Sequence, residues 1–445
     1  MKTVRIGAGA GFSGDRIEPA VELAEKGELD YLVFECLAER TMALAQQARL
    51  ENPDAGFDPL LERRMRAILP AIGGRKPRII SNMGAANPLG AARRIAEIAR
   101  ELGCAPLRIA AVTGDDVLDR ISDYKLEDGG SLVGALGERL VSANAYVGVG
   151  PIVAALEDGA DIVICGRASD TALFLAPLVH EFGWAMDDWQ SLGRGTLVGH
   201  LLECSAQVSG GYFADPGVKE VPNPAHIGFP LAEISEDGNA VITKLPGTGG
   251  CVTRATCAEQ LLYEIHDPAR YYQPDVIADF SNVMLSEIGP DRVAVSGATG
   301  VAASGQLKVS VGYRDGWLGE GQISYAGANC VARGNLALAI LEERLAVKGS
   351  SVLESRGELI GLNAVSPGVR AISPANEPPE VRARFAARCA SREDAERVAD
   401  EVESLYLCGP AGGGGVTRRV REIIGIASAF VPADRVPLSV QIVVA

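Results

Sequence analysis

The chain has 445 residues, 47% apolar and 22% charged, and a net charge of −15 from 42 basic and 57 acidic side chains. Its length suggests about three domains, and its acidity disfavours a nucleic-acid partner, because such a surface repels phosphate backbones. No apolar run reaches the roughly 18–20 residues that cross a bilayer, so no membrane partner is expected.

The opening MKTVRIGAGAGFSGDR has no apolar signal core, and the nine cysteines are scattered without a C-x-x-C. Both features fit reduced thiols in a cytoplasmic protein. Strands are expected at Thr3–Gly7, Leu29–Phe34, Pro77–Ser81, Leu107–Val112, Leu140–Ala145 and Asp161–Cys165. Helices are expected at Ile17–Lys26, Thr41–Leu50, Pro88–Leu102 and Asp170–Phe182. DYLVF, PRIIS, LRIAAV and DIVIC are continuous apolar runs. Strands of that kind are covered on both faces, which implies a parallel sheet with helices on either side.

The alternation ends near Gly183. A helix over Thr196–Val208 is followed by short strands and Gly-rich loops, then a strand at Leu307–Tyr313 and a helix at Ala332–Ala346. Beyond KGSS (348–351) come strands at Leu359–Val365 and Glu380–Cys389, a helix over Ser391–Tyr406 capped by Ser391, and strands at Arg421–Ser428 and Leu438–Val444. The expected fold is α/β. A parallel Rossmann-like sheet occupies 1–182, and an α+β second domain, or an elaboration of the first, occupies 183–348. A ferredoxin-like α+β domain over 352–445 completes it.

Ligands of open parallel sheets bind beyond the strands' carboxyl ends, so the residues after each strand are candidates. They are GAGAGFSGDR (7–16), Glu35 with Glu39 and Arg40 nearby, Asn82, Asp115, and Arg167 and Asp170 of GRASD. Gly9-x-Gly11-x-x-Gly14 matches a dinucleotide fingerprint, with Glu35 about where a ribose-binding acid would lie. Ser13 belongs to the same loop. Asp15 stands where the helix should start and could equally cap it, leaving a simple tight turn. Phosphate or CoA binding, NAD(P) binding and that turn all remain open. Arg167 could hold a carboxylate or phosphate, or pair with a neighbouring Asp. Asp170 could act in chemistry or cap a helix.

On a helix, Thr196, His200, Glu203 and Gln207 share one face, Cys204 lies a turn after His200, and leucines take the other side. A solvated face normally carries Lys or Arg, and none occurs between Arg194 and Lys219. The stripe therefore reads as half-buried, with Glu203, His200 and Cys204 as candidates for acid–base or nucleophilic work. His200 and Glu203 have metal-ligand spacing, but no third ligand can be named, so no metal is assigned. GTGGCVT, with Gly249 and Gly250, is either an anion cradle or a turn.

IGAGAGFSGDR, DYLVFECLAERTM, SNMGAANPLG, CGRASDTALFLAPLVHEFGW, GHLLECSAQVSGG and KLPGTGGCVTRATCAEQLLYEIHDP together resemble the acyclic terpene utilisation family (AtuA-like proteins). The resemblance covers about residues 3–345, and LYLCGPAGGGG is similar to the ferredoxin-like domain often attached to that family. It implies a catabolic setting alongside acyl-CoA dehydrogenases and carboxylases. The expected function is a lyase, hydratase or hydrolase step on a small carboxylic acid or its CoA thioester, the thioester being substrate rather than cofactor. An NAD(P)-dependent oxidoreductase and a non-catalytic binding subunit of an acyl-CoA-processing complex are the alternatives. A homo-oligomer is expected.

Overall fold

The computed structural model describes residues 2–72, 77–127, 129–347, 351–366 and 377–445. The chain divides into two compact units, Met1–Gly312 with Ile426–Ala445, and Tyr313–Gly425.

The large unit begins with β1 (Thr3–Ala10), α1 (Glu18–Lys26), β2 (Tyr31–Phe34), α2 (Glu39–Glu51) and α3 (Leu61–Ile68). It continues with β3 (Arg78–Ser81), α4 (Pro88–Glu101), β4 (Arg108–Thr113), β5 (Leu140–Ala145), α5 (Gly150–Glu157), β6 (Ile162–Cys165), α6 (Ala172–Phe182) and α7 (Trp189–Glu203). Then follow β7 (Pro230–Ser235), β8 (Ala240–Lys244), α8 (Arg254–Leu262), β9 (Tyr271–Tyr272), β10 (Val276–Asp279), β11 (Met284–Gly289), β12 (Arg292–Ser296) and β13 (Thr299–Ala302). β14 (Gln306–Ala326) leads to α9 (Cys330–Val347), β15 (Val352–Ile360), β16 (Glu380–Cys389), α10 (Arg392–Cys408), β17 (Gly414–Pro432) and β18 (Ser439–Val444).

The main sheet has ten strands in the order β11-β12-β8-β7-β1-β2-β3-β6-β4-β18. β1, β2, β3, β6 and β4 run parallel. β7 joins β1 antiparallel, and β18 closes the other side antiparallel to β4. The continuous apolar runs explain the parallel centre. Side chains alternate between faces, so Leu32 and Phe34 of β2 enter one core while Tyr31 and Val33 enter the other. Both faces are covered, and every residue of β2 and β6 is buried.

β5 departs from its expected place beside the parallel strands, for it pairs with β14. A smaller sheet, β13-β10-β9, packs near α7. Asp188 caps α7 by accepting the Ser191 N–H at 3.2 Å. The helix ends at Glu203, earlier than expected, and Ser205 then adopts a left-handed φ of 45°. Its glycines let neighbours approach: a Cβ on Gly193 would lie 2.2 Å from the Thr299 carbonyl oxygen. As a result α7 beyond its exposed first residues, Trp189 and Gln190, is buried apart from Arg194, and His200, Thr196 and Glu203 are enclosed along with the leucines.

The small unit runs strand, helix, strand, strand, helix, strand, with sheet order β15-β16-β14-β17. Ile323, Leu341, Phe385, Val398 and Val402 form its core. Residues 313–347, expected in the second region, belong to this unit, because β14 pairs with β16 over Trp317–Ala326. The terminal segment 426–445 belongs to the large unit, through β18. The expected link at 348–351 lies mostly outside the described residues. Among the described residues no helix is long and apolar enough to cross a membrane.

Candidate functional site

A cleft of about 1020 Å³ opens in the large unit, beyond the carboxyl ends of β1, β2 and β6 and the C-terminus of α7. Gly11, Glu35, Arg167, Asp170, Glu203 and Cys204 all line it. Six residues singled out by strand-end position or helical spacing therefore meet in one place.

Arg167 follows β6 and is buried, with 2% exposure. Its backbone N–H donates to Asp115 Oδ2 at 2.9 Å. One Nη donates to the Leu37 carbonyl and the other to Asp170 Oδ1. The guanidinium carbon sits 4.1 Å from the centre of the Tyr146 ring. Its Nε, also buried, has no partner. Tyr146 donates its hydroxyl to Glu39, which also pairs with Lys308 at 3.4 Å.

Asp170 keeps 36% of its side chain exposed to the cleft. Burial among neighbours raises its carboxyl to about 7, and the charges of Glu203 and Glu39 push the same way, against the pull of Arg167. Burial, followed by the charge of Asp170, lifts Glu35 well above the carboxylate range. Glu35 accepts the Leu37 N–H at 2.8 Å and an Asn82 amide N–H at 2.9 Å. Burial would raise Glu39 too. The hydrogen bond from Tyr146 and the charges of Arg167 and Lys308 outweigh it, bringing Glu39 down to about 2.

Glu203 Oε1 lies 2.8 Å from His200 Nδ1. His200 Nε2 lies 3.2 Å from the Leu261 carbonyl oxygen, which can only accept, so Nε2 carries a proton. The Nδ1–Oε1 contact ties the Glu203 carboxyl to the ring. Tyr271 and Phe280 flank the imidazole at 5.3 and 5.9 Å, and the ring stays behind the cleft wall. Glu203 Oε2 has no partner.

Several expected residues take structural parts. Asp15 Oδ2 accepts the Gly11 N–H at 3.0 Å, so that donor is closed to a phosphate. α1 starts only at Glu18, without a side-chain cap. The Ser13 carbonyl accepts from buried Arg64 at 3.0 Å. A Cβ on Gly9 would meet the Phe34 ring, and one on Gly14 the Phe12 ring. Of the apparent dinucleotide fingerprint only Gly11 reaches the cleft, packed against the Cys204 backbone. The Gly249 and Gly250 N–H groups donate to the carbonyls of His226 and Pro222 at 2.8 and 2.7 Å, which leaves neither for an anion. Asn82 is enclosed and holds Glu35 and the Cys36 N–H. Asp115 fastens Arg167 and Asn144 and lines a separate cavity of about 710 Å³. Burial pushes the Cys204 thiol up, which favours its neutral form.

Tyr146, Lys308, Tyr271 and Gln273 line the cleft without having been expected. Tyr146 directly follows β5, so the strand-end rule could have found it. Lys308 lies mid-strand with no marker. Among the described residues, no group of three or more His, Cys, Asp or Glu could hold a metal ion.

No curated protein matches the chain. The family model described as acyclic terpene utilisation family protein AtuA matches residues 4–442, and the chain belongs to that family.

Proposed function

We propose that the cleft is an acid–base active site acting on a small carboxylic acid or its CoA thioester, by proton transfer beside a carbonyl as in a lyase or hydratase. The observation that carries this reading is the meeting of two carboxyl groups with different hydrogen-bond partners on one cleft wall. Asp170, held at about 7, keeps a proton to give near neutrality. Glu203 lines the same cleft, one of its oxygens buried without a partner while His200 holds the other. Proton transfer beside a carbonyl needs an acid and a base placed within reach of the same substrate. Arg167, anchored through Asp115, fixes the position of Asp170. The closed Gly11 N–H weighs against the alternative of an NAD(P)-dependent oxidoreductase. The five parallel strands support a Rossmann-like reading of the large unit, and the strand–helix–strand–strand–helix–strand order supports a ferredoxin-like reading of the small one.

Hydrogen exchange tests the proposal across a panel of compounds, with no single substrate chosen in advance. The protein is incubated in D2O with short and branched acids and their thioesters, and mass gain or conversion is read. At least one compound should gain deuterium or be converted, and Glu203→Gln should slow this by about 10²–10⁴-fold with the fold retained. Silence of the wild type across the panel, or full activity of the variant, overturns the assignment.

A further inference from the structure

We infer that the cleft receives its acyl group as an uncharged carbonyl compound, a thioester or ester, and discriminates against the free carboxylate. The inference rests on the acyl reading above and chooses between its two substrate classes. A carboxylate ligand needs an available cation, best a guanidinium fork that offers two N–H groups side by side. Arg167 cannot offer one. One Nη is held by the Leu37 carbonyl, the other by Asp170, and a face of the guanidinium lies against Tyr146. Both Nη atoms are thus engaged, the unpartnered Nε is buried, and the side chain as a whole is only 2% exposed, so it presents no open fork to an incoming carboxylate. Lys308, the other Lys or Arg of the cleft wall, pairs with Glu39.

The remaining charged groups would repel an anion. Glu127, Glu203 and Glu264 line the same cleft, and the unpartnered Oε2 of Glu203 calls for a donor or an acidic C–H rather than a second carboxylate. His266 is the remaining basic side chain on the wall. A neutral thioester carbonyl escapes this repulsion, and its acidified α-carbon is what a carboxylate base can deprotonate: the C–H proton moves to Glu203 and the electron pair to the carbonyl oxygen.

The test is a pair of calorimetric titrations of the full chain at pH 8, where Asp170 is ionised. One series uses C4–C10 carboxylates, the other the matching N-acetylcysteamine thioesters. Thioesters should bind at least about tenfold tighter than their acids. Asp170→Asn keeps an acceptor for Arg167 but removes the charge, and should improve carboxylate binding by about tenfold, narrowing the preference for thioesters. Carboxylates that bind wild type as tightly as their thioesters overturn the inference, whatever the variant does, yet leave the acid–base reading standing if hydrogen exchange persists. Failure of both series to bind at about 10 mM overturns both readings.

Discussion

Asp170 stands between opposing influences, burial in an enclosed wall, helped by the charges of Glu203 and Glu39, that disfavours its charge and a buried guanidinium that favours it. The wall prevails, which gives a direct pH expectation. As the proton donor, Asp170 works only while protonated, so kcat/KM should fall as pH rises through about 7. Asp170→Asn should lose that alkaline limb along with most of the rate. A pH–rate profile of both proteins, on whichever compound the exchange screen identifies, checks this. A wild-type profile flat from pH 6 to about pH 9 removes Asp170 from the role. The neighbouring Glu39 makes a useful contrast. It is set down to about 2 by Tyr146, Arg167 and Lys308, so it stays charged throughout that range and adds no limb.

Among the elements, α7 decides how close the site's parts can come. Gly193 lets it lie against the Thr299 carbonyl, and Gly11 lets the end of β1 lie against the Cys204 backbone. Gly193→Ala should cost about 1–3 kcal/mol in urea unfolding, because the clash is with backbone that cannot swing aside. Unchanged stability would mean that the helix has room to shift. The parallel strands were legible because uninterrupted apolar runs such as DYLVF have one ready explanation, cover on both faces. The role of α7 was half legible. A stripe of His200, Glu203 and Thr196 without lysine pointed to burial, but its pattern could not separate a wet face from a polar interior, and the structure encloses it completely. The candidate site was legible where it is made of strand ends: Glu35, Arg167 and Asp170 follow directly from the topology. Lys308, Tyr271 and Gln273 come from segments outside the parallel sheet, whose approach no local spacing announces, whereas Tyr146 follows the end of β5. By its sequence alone the glycine loop stays open between a ligand cradle and a turn, for a related reason. Three glycines satisfy the spacing, but only hydrogen bonding shows that Asp15 already occupies the donor they would offer.

For the whole molecule, the main sheet is finished by the chain's final strand. β18 lies along the full length of β4, from Ser439 opposite Thr113 to Val444 opposite Arg108. Val440, Ile442 and Val443 of β18 pack on the two cores. A chain ending at Pro437 should lose on the order of 3 kcal/mol from those partly buried side chains, and its bared β4 edge should promote self-association. Thermal unfolding and size-exclusion chromatography would report both effects. A truncated protein as stable and as monodisperse as the full one would show that β4 needs no cover. The same arrangement governs the order of events during synthesis. β1 to β4 are made early, yet β4 must wait with an open edge while the rest of the chain is translated. The small unit's residues, ending at Gly425, are all available before β18 emerges. The large unit therefore completes its sheet only after the whole small unit has been made, and that interval is when the growing chain most needs protection from aggregation.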